Sequence, residues 1–177
     1  TFHSSTRRVL EAVQTETAIV GVVPIPQHDD SDNWWHLIVS DRVDAPKIIA
    51  RLPFIGYGNA RSKGLEALVL CKIEHEAIDN AHSVIAVESN KDIGFNTINS
   101  CLVQADLKYE FQQAWHNTQR PPEWTYFIEL SEFLIKEEGK ESALINSLKK
   151  HDLRLVHLGG YAKPLKDADF VTETIES

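Results

Sequence analysis

The chain has 177 residues, of which 42% are apolar and 25% charged, and its formal net charge is −8. That length fits one domain or two small ones able to bury a core, with the composition of an ordinary soluble globular protein. The acidic balance and the scattered Lys and Arg residues argue against nucleic acid as a partner. No stretch approaches the ~20 apolar residues of a membrane span, and no signal peptide is visible, so the expectation is a cytoplasmic protein with no membrane partner.

Cys71 and Cys101 lack CxxC spacing and read as buried free thiols. The eight histidines show no HExxH pattern or His-Cys pairing, and no G-x-S-x-G is present, so neither a metal nor a cofactor is expected. The sequence contains no methionine. The expectation is therefore a piece of a longer polypeptide.

In chain order, Ser5 or Thr6 can cap a helix that carries Val9, Ala12 and Val13 on one face. AIVGVVPIP, ending at Pro24 and Pro26, reads as a buried strand closed by prolines, which places a loop at a sheet edge. HDDSDN (His28 to Asn33) lacks the glycine and distal glutamate of a calcium loop and reads as a solvated acidic turn. Trp34 and Trp35 lead into HLIVS. On a strand these neighbours face opposite ways, one toward the core and the other toward a second surface. KIIARLPF (Lys47 to Phe54) is a further strand. IGYGNARSKGLEALVLC runs from a glycine-rich connection, with no P-loop spacing, into a strand at Leu65 to Cys71.

The second half has the clearest periodicity. HSVIAVE (His82 to Glu88) reads as a buried strand. A helix follows, with Ile93, Ile98, Cys101, Leu102 and Ala105 on its apolar face and Asn90 and Asp92 at its start. In LKYEFQQAW the alternation puts Leu107, Tyr109, Phe111 and Trp115 on one face. Trp124, Tyr126, Ile128 and Leu130 alternate beyond the breaker NTQRPPE, so the two strands read as a hairpin. Glu137, Glu138 and Glu141 open a second helix, with Leu144, Ile145 and Leu148 apolar and Lys149, Lys150 and His151 closing it. LRLVHLGGY is the last strand. The βαββαβ order predicts an α+β fold of ferredoxin-like type, an antiparallel sheet with both helices on one face.

This second half, running into LGGYAKP, resembles the ACT regulatory domain of prephenate dehydratases, where LGSYP is typical. Upstream, VLEAVQTETAIVGVVPIP (Val9 to Pro26) is similar to the dehydratase segment VFEAVENGEADYGVLPIENS. The resemblance implies a truncated α/β prephenate dehydratase-like segment at 1–80 and an ACT-like domain at 81–166; the residues beyond, 167–177, read as an acidic tail that is expected to be mobile. It further implies a chorismate mutase-linked polypeptide of phenylalanine biosynthesis. The family's N-x-T-R-F motif maps onto Asn59, Arg61 and Ser62, with Arg61 as the cation that would hold substrate carboxylates and Lys63 as a second. Its threonine is absent, Ser62 lies out of register, and only 32 residues separate Pro26 from Asn59, too few for the second lobe. A catalytically degenerate module for dimerisation or metabolite sensing is the reading that follows. Active dehydratase chemistry, prephenate to phenylpyruvate, is the second reading, and a ligand-free scaffold the third. For the sensing module the resemblance places an aromatic amino acid or prephenate, in a homodimer, at Ile93, Gly94, Phe95 and Asn96 on the first helix and at Trp115 and His116 after the second strand.

Overall fold

A computed structural model describes residues 3–28, 33–54, 66–73, 81–136 and 139–164. The predicted catalytic residues Asn59, Arg61 and Ser62, together with Lys63, Glu137, Glu138 and the acidic tail, lie outside the described residues. The elements are α1 (Thr6–Gln14), β1 (Val20–Pro24), a short 3-10 helix (Trp34–Ile38), β2 (Lys47–Leu52), β3 (Ala67–Cys71), β4 (Ala81–Ser89), α2 (Gly94–Gln104), β5 (Tyr109–His116), β6 (Trp124–Leu130), α3 (Gly139–Lys149) and β7 (Arg154–Ala162). The fold is mixed α+β, and the described residues form one seven-stranded sheet in the order β1-β3-β2-β7-β4-β6-β5.

Within the second half, β7, β4, β6 and β5 are antiparallel neighbours. All nine residues of β4 are buried, because each face of the strand meets its own core. Ile85, Val87, Tyr126, Ile128 and Leu130 face α2 and α3 through Ile98, Leu102, Leu144 and Leu148. On the other face Val84, Ala86, Phe127, Val156 and Leu158 join Leu10, Trp34, Trp35, Ile48 and Leu70 from the first half.

Several expectations are corrected. Trp34 and Trp35 lie in a 3-10 helix, not a strand, so both rings enter the same core, 2% and 0% exposed. Each indole N–H has an acceptor, the Pro24 carbonyl at 3.0 Å and Gln113 Oε1 at 2.7 Å. β1 is not buried throughout: it ends the sheet among the described residues and alternates, with Val20 and Val22 exposed. Its Gly21 matters, because a Cβ there would stand 2.9 Å from methyls of Val9 and Val13, so glycine lets α1 lie close on the strand.

In β5 the register shifts between Tyr109 and Phe111. That irregularity breaks the expected single face: Leu107 packs with the helices, whereas Phe111 and Trp115 pack against the opposite core.

The three N-terminal strands meet the other four at one parallel pairing, Ile48 with Gly159. Gly159 has φ +121°, and a Cβ on it would sit 2.6 Å from the Ile48 nitrogen and closer still to its carbonyl oxygen. Only glycine fits there. Lys47 Nζ adds a hydrogen bond to the His157 carbonyl at 2.7 Å.

Candidate functional site

The start of α2 is held by two side chains. Asp92 Oδ1 accepts from the Gly94 amide at 3.0 Å and from the Tyr126 hydroxyl at 2.9 Å, and that hydroxyl accepts from the Ile93 amide at 3.1 Å. The expected capping by Asn90 and Asp92 is therefore refined: Ile93 occupies the cap position without a side-chain bond, and Asp92 caps from one residue further out. Gly94 has φ +63°, which glycine adopts freely. Burial, assisted by the Asp92 carboxylate, pushes the Tyr126 hydroxyl above its ordinary pKa, so it stays protonated and donating.

An aromatic row extends from this turn. Phe95 meets Tyr126 edge-on with centroids 5.6 Å apart, Trp124 lies 6.3 Å from Tyr126, and His116 stacks on Trp124 at 4.3 Å. Asn96 is exposed on the same turn. Of the predicted ligand-binding residues, Ile93, Gly94, Phe95, Asn96 and His116 thus share the helix-covered side of the sheet. Trp115 does not join them. It points to the opposite face, where it stacks on His36 with centroids 4.0 Å apart.

Beside Phe95 an open hollow of about 590 Å³ runs along the outer edge of β5, lined by Asn99, Tyr109, Phe111, Gln112 and Gln113 among others. Its amides are ordered: Gln112 Nε2 donates to Asn99 Oδ1 at 2.7 Å, and Asn99 Nδ2 donates to the Tyr109 hydroxyl at 3.4 Å. Rings with oriented amide groups suit a small ligand that is part apolar and part polar. Among the described residues no three His, Cys, Asp or Glu side chains are grouped to hold a metal, and no helix is long and apolar enough to cross a membrane.

Sequence reading missed the role of Tyr126, which it took only as an apolar face residue. It also missed a buried polar group of Arg51, His82, Glu129 and Tyr161 on the other face. The available signal was a titratable residue inside an apolar strand, Glu129 in WTYFIEL and His82 at the head of HSVIAVE.

These elements define a class: a seven-stranded α+β sheet whose last four strands carry two helices on one face. No family model matches the sequence, and no curated protein matches it. Solved structures match in fold. A prephenate dehydratase from Streptococcus mutans superposes with a TM-score of 0.63 at 12% identity, over 90% of this chain and 82% of that one. A prephenate dehydratase from Arthrobacter aurescens, in complex with L-Phe, gives 0.65 at 10% identity over 92% and 81%. GqqA, described as a novel type of quorum quenching acylase, gives 0.62 at 8% identity over 91% and 81%. At such identities the likeness is one of fold, and the third neighbour is named for a different chemistry on a similar frame.

Proposed function

We propose that the chain is a prephenate dehydratase-like region (1–80) joined to an ACT-like regulatory domain (81–166), from a chorismate mutase-linked protein of phenylalanine biosynthesis. It acts as a dimerising sensor of an aromatic amino acid and not as a dehydratase. The observation that carries this reading is the antiparallel order β7-β4-β6-β5 with both helices on one face, the arrangement expected of a ferredoxin-like βαββαβ unit, in a chain whose fold neighbours include a dehydratase holding L-Phe.

The ligand sits at the start of α2. Its carboxylate meets first-turn amides at Phe95 and Asn96, which lack intrahelical acceptors, its ammonium meets the exposed Asp92 carboxylate, and its ring lies along Phe95 toward the β5 hollow. A second copy pairs with the outer edge of β5, which has no strand beyond it among the described residues.

Titration calorimetry with phenylalanine, tyrosine and prephenate tests the sensor, and light scattering tests the dimer. Saturable binding of one aromatic amino acid, weakened about tenfold in Asp92→Ala, is expected. Absence of binding leaves the scaffold reading, which the packing of Phe95 on Tyr126 favours. Formation of phenylpyruvate from prephenate by the purified chain, abolished in Arg61→Ala, overturns the catalytically degenerate reading.

A further inference from the structure

Four polar side chains from four strands meet on the sheet face away from the helices: Arg51 on β2, His82 on β4, Glu129 on β6 and Tyr161 on β7. The Tyr161 hydroxyl donates to Glu129 Oε1. Arg51 Nη1 donates to the same oxygen at 3.2 Å and to the Tyr161 hydroxyl at 3.2 Å, while its Nη2 contacts both oxygens of Glu66 at 3.1 Å. The His82 ring stacks on Tyr161 with centroids 5.5 Å apart and an interplanar angle of 7°. His82 is 4% exposed, and its Nδ1 has no hydrogen-bond partner among the described residues although it lies 3.9 Å from Glu129 Oε1. Arg51 Nε is likewise buried without a partner among the described residues.

A buried ring nitrogen without a partner, facing a carboxylate, is a place where a proton creates an ion pair. The carboxylate oxygen it faces is already taken by two donors, about as many as its lone pairs serve. A third donor must displace one of them, and Arg51 is the one with a second carboxylate to fall back on, Glu66. Arg51 is also the side chain that reaches from β2 past β7 and β4 to β6, over a joint that has a single register pair among the described residues.

We infer that His82 is a proton switch on this joint: charging its ring draws Glu129 away from Arg51 and loosens β2 from the four C-terminal strands. Around the ring, Glu129 on β6, Glu110 on β5 and a backbone hydrogen bond at Leu130 favour the charged form, and Lys163 beyond β7 opposes it. Burial outweighs them and holds His82 below its ordinary pKa, so the ring is neutral at neutral pH. Arg51 stays charged, and burial together with Glu129 keeps Tyr161 protonated, so among these three His82 is the group that changes.

Amide hydrogen exchange on the full chain at pH 7.5 and 5.5, corrected for intrinsic rates, tests the switch with no ligand present. Amides of β2 and β7 are expected to exchange on the order of tenfold faster at the lower pH while Ile128 is unchanged, and His82→Gln abolishes the difference. Protection that is independent of pH, or the same pH dependence in His82→Gln, overturns the inference. Tyr161→Phe provides an independent arm: it removes one donor from Glu129, so the His82 ring, followed by NMR, is expected to bind protons about tenfold more tightly. An unchanged titration also overturns it.

Discussion

The two halves of the sheet differ in how they are covered. β4 and β6 lie between two cores and expose almost nothing, whereas β1 and its surroundings show Ile19 at 81%, Val20 at 47%, Val22 at 52% and Ile73 at 62% exposure. The C-terminal half carries its own helices, α2 and α3, on one face and borrows the other half as cover for the second. The N-terminal strands have α1 and the Trp34–Ile38 turn on one side, and β1 presents valines outward on the other. Stability therefore concentrates in the C-terminal strands and in the joint that lends them their second core.

The strongest way to break that asymmetry is at the joint. Gly159→Val forces a side chain into the Ile48 backbone at a φ that L residues rarely adopt, and a loss of about 3 kcal/mol or more is expected in denaturant unfolding. Next comes a matched pair of truncations. Leu144→Ala, 0% exposed on the inner face of α3, is expected to cost about 2–5 kcal/mol, whereas Val22→Ala on β1, 52% exposed, should stay within about 0.5 kcal/mol. Equal costs would show that the outward face of β1 is covered in solution.

The smallest effect is a pH dependence at the edge of the helical layer. His157 contacts Glu141, which is 5% exposed, but burial outweighs that partner and holds the ring below its ordinary value of 6.5. The folded state then binds fewer protons than the unfolded one, so this contribution is fully present above pH 6.5 and is lost as pH falls through the depressed folded value. Unfolding curves of His157→Gln should show a shallower loss between pH 7.5 and 5 than the parent chain.

The same contrast explains what could be read in advance. HSVIAVE, WTYFIEL and LRLVHLGGY became β4, β6 and β7 because runs of β-branched and apolar residues between polar breakers have few other ways to hide. The helix bounded by Lys149 was equally legible from its apolar and charged positions. LKYEFQQAW misled, since an irregularity at one residue flips every later side chain and leaves no mark on apolar alternation. The double Trp misled in the opposite sense, because a 3-10 turn buries consecutive residues that a strand would separate. For the candidate site, Gly94 and Phe95 were readable as a helix start. The clamp between Asp92 and Tyr126, 34 residues apart, was not.

Sequence alone determined the order of strands and helices after residue 81, the acidic net charge, and the helix start at Gly94, because each follows from local periodicity, charge and backbone freedom. Tertiary structure decided that β2 sits beside β7, that Trp115 packs on His36, and that Arg51, His82, Glu129 and Tyr161 converge. Those outcomes depend on pairings between residues far apart in the chain, such as Arg51 and Tyr161, 110 positions apart. No window of neighbouring residues encodes such a pairing; it arises when the strands close into one sheet and bury both of its faces.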